Sequence, residues 1–202
     1  MSATVAPAAS DRSDFRTVTV GGAKIGVATA IAVVAFLAAL RLVPIAGGLR
    51  GGVLVLIILA AGLAAAFLPA EWTAARSTEG IAGAAAVGLV GTVVFSAIDI
   101  VLLRPFKAYP WTWDAIGGGS TWWYLPIWWM LGTFLAWMGG IVTAASGEAT
   151  LARRALPAVA GTIIVTAIVR LAGVPVAFPV VVGAAFTLVL AALALVALAR
   201  KG

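Results

Sequence analysis

The 202-residue sequence contains no cysteine and no histidine, and only 10% of its residues are charged. The missing side chains exclude disulfide bonds, thiolate nucleophiles, Cys/His zinc sites, iron–sulfur clusters and His-ligated haem. We therefore expect no metal site. Because 63% of the residues are hydrophobic, the chain is neither disordered nor a water-soluble domain, for which about 45–50% apolar residues is typical. This composition, with a mean hydropathy of +1.16, indicates an integral membrane protein.

Six apolar stretches are long enough to cross a bilayer, which requires about 20 residues in a helix. They cover residues 22–44, 52–68, 80–103, 122–145, 156–174 and 178–199. Glycines and prolines separate them, as is typical of turns. The sequence therefore predicts an all-α, polytopic membrane protein with six transmembrane helices in three hairpins. The bundle covers residues 21–199 and follows a polar tail of residues 1–20.

The 13 basic residues are divided unevenly between the two predicted sides of the membrane. The side of the N-terminus has eight: Arg12, Arg16, Lys24, Arg76, Arg153, Arg154, Arg200 and Lys201. The other side has five: Arg41, Arg50, Arg104, Lys107 and Arg170. Because basic residues concentrate in cytoplasmic loops, we expect both termini in the cytoplasm. The Trp- and Gly-rich loop of residues 105–121 is then external, and the membrane is the cytoplasmic membrane of a prokaryote.

The net charge of +6 has two possible causes, nucleic acid as a partner or the topology of a membrane protein. In a chain this apolar, topology and anionic lipid headgroups account for the basic residues. We therefore expect the lipid bilayer, and no nucleic acid, as a partner.

One acidic residue, Asp99, lies inside a predicted span. A carboxylate within the membrane is costly unless it is paired or hydrated, so it is a candidate functional group. Counted along the predicted helices, Asp99 lies in the outer part of the bundle. Three arginines lie near the same level: Arg41, Arg104 and Arg170. This arrangement predicts either a structural Asp99–Arg170 ion pair or a site where excess positive charge binds an anionic ligand.

Seven of the eight tryptophans lie within residues 111–137. Tryptophans at the membrane interface are common, and a belt of this kind explains Trp111, Trp113, Trp122 and Trp123. Deeper rings either pack between helices or line a site for a flat, cationic or lipophilic ligand. The predicted aromatic wall consists of Trp122, Trp123, Trp128, Trp129 and Trp137.

Small residues recur every four positions in two spans: Gly22, Gly26 and Ala30 in the first, and Gly80, Ala84 and Gly88 in the third. In lipid, small residues allow the backbones of two helices to approach closely. The pattern indicates packing within the bundle or, as the alternative, a face that docks a partner subunit.

No catalytic motif accompanies these features. The sequence has no paired acidic motif for magnesium, no Ser/His or Cys/His pair and no phosphate-binding loop, so we expect no enzyme. The sequence favours a membrane-embedded binding or transport component for a small anionic or amphipathic ligand. The alternative is a non-catalytic accessory subunit, in which tryptophans and small residues contact other membrane subunits or a second copy. The sequence identifies no cofactor.

Overall fold

The computed structural model describes residues 12–44, 48–104 and 124–200. These residues form six helices, each long and apolar enough to cross a membrane. The helices are α1 (Phe15–Leu42), α2 (Leu49–Trp72), α3 (Thr78–Ile98), α4 (Tyr124–Ser146), α5 (Leu151–Leu171) and α6 (Phe178–Ala199). The prediction of an all-helical protein is confirmed for the described residues, with six helices that are each long and apolar enough to span a membrane. The placement of both termini in the cytoplasm stays a prediction, and the loop of residues 105–121 lies outside the described residues.

Two helices begin earlier than the apolar pattern predicts because polar residues cap their first turns. Helix α1 starts at Phe15, where the Asp14 carboxylate accepts hydrogen bonds from the Thr17 backbone N–H (3.0 Å) and hydroxyl (2.6 Å). The hydroxyl bond lowers the pKa of Asp14 below its usual value, so the cap is ionised at neutral pH. Thr150 caps α5, which starts at Leu151. A count of apolar residues does not detect such capping turns.

Two prolines lie inside helices, and one of them, Pro69, marks a predicted span boundary. Pro69 is within the last turns of α2 and Pro157 within the first turns of α5. Membrane helices tolerate such prolines, and here both lie near a helix end. The hydroxyl of Thr73, which is fully buried, lies within hydrogen-bond distance of the carbonyl oxygens of Pro69 (2.9 Å) and Gly80 (3.0 Å). Thr73 thereby joins the end of α2 to the start of α3.

Helix α3 lies at the centre of one half of the bundle, packed extensively against α1 and α4. Consecutive helices also pack in pairs, α1 with α2, α3 with α4 and α5 with α6. An apolar core between α2, α4 and α6 includes Phe67, Met138 and Leu190. Helix α5 packs mainly against α6 and only lightly against α2 and α4. It is therefore the helix least tied to the rest of the bundle.

Glycines bring the backbones of α1 and α4 close to α3. A Cβ atom added to Gly26 of α1 would lie 2.7 Å from the carbonyl oxygen of Gly91 on α3. A Cβ atom added to Gly88 of α3 would lie 2.5 Å from the carbonyl oxygen of Gly132 on α4. The prediction that small residues mark helix contacts within the bundle is confirmed at Gly26 and Gly88.

The substitution Gly26→Ala tests this close approach. Its methyl group would meet the Gly91 carbonyl and the Val94 side chain at 2.7 Å, so the two helices must separate. We expect a loss of about 1–3 kcal/mol in unfolding free energy, measured by thermal or chemical unfolding in detergent. Gly183→Ala is the matched control because a Cβ atom there meets nothing within 4 Å. Equal destabilisation by the two substitutions would contradict the role of glycine in the α1–α3 contact.

Candidate ligand site

A five-residue π-helical segment, Asp99–Leu103, continues α3 and holds its buried acid. Asp99 is 1% exposed, and its Oδ2 lies 3.3 Å from Nε of Arg104. The Arg104 backbone N–H donates to the Asp99 carbonyl oxygen (2.9 Å). In an α-helix, residues five apart lie about 140° apart around the axis. The wider π turn therefore brings the two side chains together, and such segments are frequent at functional sites.

A buried polar stripe leads from Asp99 into the bundle along α3. Thr92, Ser96 and Asp99 are spaced by four and three residues and are all buried, so they share one face of the helix. The Ser96 hydroxyl donates to the Thr92 carbonyl oxygen (2.7 Å) and accepts from the indole N–H of Trp129 on α4 (3.3 Å). The stripe therefore follows the α3–α4 seam. Its spacing is visible in the sequence, although only Asp99 was predicted as a site residue.

An open apolar groove of about 610 Å³ runs along α4 on the side of α3, which contributes one lining residue, Leu89. Its lining residues are Leu89, Ile127, Trp129, Met130, Leu131, Thr133, Phe134 and Trp137. Trp129 is 36% exposed and also bonds to Ser96, so one indole separates the groove from the polar stripe. Helices α3 and α4 are antiparallel. Counted at about 1.5 Å per residue from the Trp129–Ser96 hydrogen bond, Asp99 on α3 and Ile127 on α4 therefore both lie about 3–5 Å further toward the same end of the bundle. The buried ion pair and one end of the groove are therefore at a similar level.

The predicted aromatic wall is divided by the structure. Trp129 and Trp137 line the groove, and Trp137 is 49% exposed. Trp128 instead packs edge-on against the buried Phe95, with ring centroids 5.6 Å apart and an interplanar angle of 70°. Its contact is one of helix packing. Trp122 and Trp123 lie outside the described residues.

The structure gives Asp99 a partner other than the predicted Arg170. Arg170 is exposed at the turn between α5 and α6, where Nη1 donates to the Val176 carbonyl oxygen (3.4 Å). Its guanidinium carbon lies 5.8 Å from the centre of the Phe178 ring. The physical reason is that α5 packs on α6 and not on α3. The predicted meeting of Asp99 and Arg170 is therefore wrong.

The other predicted arginines occupy different environments. Arg41 is exposed in the last turn of α1, where a positive charge is favourable at the helix C-terminus. Arg104 is the arginine that pairs with Asp99, and 19% of its side chain is exposed. Arg104 therefore presents its guanidinium from a position fixed by the buried carboxylate.

Comparisons of the chain with protein-family models, curated proteins and solved structures find no match. Its function therefore has to be inferred from the chemistry of the site.

The substitution Arg104→Gln tests the ion pair. It removes the guanidinium and leaves the Asp99 carboxylate in a low-dielectric site, so we expect a loss of about 3–5 kcal/mol in unfolding free energy. The double variant Asp99→Asn/Arg104→Gln should recover most of that loss because no buried charge remains. Arg170→Gln is the control, with an expected change within about 0.5 kcal/mol for an exposed side chain. If the loss of unfolding free energy in the double variant is the sum of small losses in Asp99→Asn and Arg104→Gln, the two side chains are not coupled.

Proposed function

We propose that the protein is a membrane-embedded binding component for an amphipathic ligand with an anionic headgroup. The apolar part of the ligand lies in the groove between α3 and α4, and the headgroup contacts Arg104. The observation that carries this proposal is the π turn, which fixes an Asp99–Arg104 pair at the level of one end of the groove. Guanidinium groups bind carboxylates and phosphates through paired hydrogen bonds. Asp99 is then a positioning residue, because it holds Arg104 and is itself almost fully buried.

The energetics of buried charges support a binding role. Replacing a buried ion pair with apolar residues of similar size is often neutral or stabilising. Stability alone is therefore a weak reason to keep Asp99 and Arg104 in a membrane helix, where ionisable residues usually serve a function.

The open side of the groove supports entry of the ligand from the lipid phase. Met130 is 72% exposed, and Trp129 and Trp137 are partly exposed beside it. A lipid-like molecule can therefore reach the groove sideways without crossing the packed core. Tryptophan and methionine side chains suit such a ligand because they offer large, polarisable contact surfaces.

The sequence supports an orientation for this site. The end of the bundle formed by the starts of α1, α3 and α5 carries the majority of basic residues, which favours a cytoplasmic location for it. Arg104 then faces the outer leaflet, where the headgroup of the ligand would lie. Both this orientation and the prokaryotic cytoplasmic membrane stay predictions.

The alternative function is that of an accessory subunit in a larger membrane complex. One observation favours it, a second groove of about 280 Å³ between α1 and α2. Most of its lining residues are alanines, among them Ala28, Ala32, Ala60 and Ala64. Small residues of this kind allow a partner helix to approach closely in lipid.

Native mass spectrometry of gently solubilised protein tests the proposal. We expect the native chain to retain an amphiphile of defined mass, and Trp137→Ala to raise its dissociation constant about tenfold, which is about 1.4 kcal/mol of binding free energy and lowers the retained fraction. Leu188→Ala is the matched control, because Leu188 is 66% exposed on α6 and is not part of the groove lining. It should retain the ligand as the native chain does.

Two results would count against a ligand-binding role. If Trp137→Ala and Leu188→Ala retain the same molecules to the same extent, the groove does not select a ligand. If other membrane proteins co-purify in fixed stoichiometry and no amphiphile is retained, the accessory-subunit function is favoured instead.

A further inference from the structure

A second buried charged residue, Arg154, ties three helices together at the opposite end of the bundle from Asp99. It lies in the first turn of α5 and is 7% exposed. Its Nη1 pairs with Oε1 of Glu71 in the last turn of α2. Its Nη2 donates to the carbonyl oxygen of Gly147, just after the end of α4 (2.9 Å). Because the span predictions leave Glu71 and Arg154 in loops, they do not anticipate this pair of a buried arginine and an exposed glutamate.

Arg154 is the first residue of an inward-facing stripe on α5. The buried residues of the helix have a regular spacing of four: Arg154, Ala158, Thr162 and Thr166. Ala158 belongs to the apolar core together with Phe67 and Met138, so the stripe faces the bundle interior. Three of its four residues are polar. Polar residues that face the interior of a membrane bundle either join helices or line a hydrated cavity.

Unsatisfied polar atoms favour hydration of this stripe. Among the described residues, Nε of Arg154 and Oγ1 of Thr166 are buried without a hydrogen-bond partner, and so is Oγ1 of Thr143 on α4. Leaving a buried polar atom unbonded costs about 1–3 kcal/mol, and ordered water is a frequent partner for such atoms. Thr143 shares its face of α4 with Ala136 and Gly140, which pack against α3. The unbonded polar atoms of α5 therefore lie at the two ends of the stripe, at Arg154 and Thr166.

The length of the stripe and the light packing of α5 make a continuous path feasible. Arg154 and Thr166 are 12 residues apart, which is about 18 Å along the helix and more than half of a hydrocarbon core about 30 Å thick. Helix α5 contacts α2 and α4 only lightly along this length. The Arg154 contacts with Glu71 and Gly147 hold its first turn against those two helices.

We propose that the seam between α5 and the helices α2 and α4 is a hydrated path for small anions, and that the Arg154–Glu71 pair closes it at one end. In the closed state the Glu71 carboxylate neutralises the guanidinium. When the pair opens, Arg154 attracts an anion, and the hydroxyl of Thr166 donates a hydrogen bond that replaces part of its water. The Thr162 hydroxyl already donates to the Ala158 carbonyl oxygen (2.7 Å). This path is separate from the groove between α3 and α4.

Single-cysteine accessibility tests the path, because the chain contains no cysteine of its own. The test variant is Thr166→Cys, and Ile168→Cys is the matched control since Ile168 lies two residues away and is 60% exposed on the outer face of α5. Both are treated in sealed vesicles oriented so that the Arg154 end of the bundle faces the reagent. The reagent is an anionic, membrane-impermeant methanethiosulfonate that bears a sulfonate and reacts with thiolates in water. We expect Thr166→Cys to react about tenfold faster than Ile168→Cys, whose thiol faces lipid.

Two further comparisons test the gate and the preference for anions. Adding Glu71→Gln to Thr166→Cys should raise the reaction rate further, because Arg154 loses its carboxylate partner. A cationic trimethylammonium methanethiosulfonate should react more slowly than the anionic reagent, because Arg154 repels it. Glu71→Asp, which shortens the side chain and keeps its charge, replaces Glu71→Gln if that variant does not fold.

Three outcomes would overturn the proposal. Equal rates at Thr166→Cys and Ile168→Cys would show that the stripe is no more hydrated than the lipid-facing surface. An unchanged rate in the Glu71 variants would show that the pair does not close a path. Equal rates for the two reagents would show that the path has no preference for anions.

Discussion

Close backbone approach in lipid is the constraint on which the structure depends. The hydrophobic effect does not drive one membrane helix against another, so association relies on dispersion contacts between closely spaced backbones. Gly26 and Gly91 provide this contact between α1 and α3, and Gly88 and Gly132 provide it between α3 and α4. With a neighbour on each side, α3 can bury polar residues as far as Asp99. The candidate ligand site is therefore a consequence of where the glycines lie.

The two ion pairs differ in what they constrain. Asp99 and Arg104 belong to one helical segment, so their contact fixes a local side-chain arrangement and leaves the helices free to move. Glu71 and Arg154 belong to different helices, so their contact restrains the position of α5. The first pair suits the presentation of a guanidinium to a ligand. The second suits control of how α5 packs against α2 and α4.

The sequence predicts much of the fold because a bilayer imposes a length and a composition on each helix. It places six helices and identifies Asp99 as an acid within a span. It misses helix ends at Asp14 and Thr150, where polar caps extend the helix beyond the apolar run. The predicted end of the second span at Pro69 is also wrong, because α2 continues through this proline. These errors arise because hydropathy records the environment of a segment and not its hydrogen bonds.

The ion-pair partners of the charged residues are harder to predict than the depth of those residues in the membrane. The Asp99–Arg104 contact requires a π turn, and the spacing of apolar residues in the sequence does not indicate one. The distance of Arg170 from this site depends on α5 packing against α6, which is a tertiary outcome. The stripe of Arg154 and Thr162, in contrast, has a four-residue spacing that the sequence displays. Spacing alone does not single it out, because alanine and threonine are common in membrane helices.

An electron cryomicroscopy structure of the protein in lipid nanodiscs tests the central claim, that the groove between α3 and α4 binds an amphiphile, most directly. The account predicts an elongated, ordered density between Trp129 and Trp137 that ends in a headgroup within hydrogen-bond distance of Arg104. A groove filled by a helix of another chain would contradict it. So would density no better ordered than that of the lipid along the exposed face of α6.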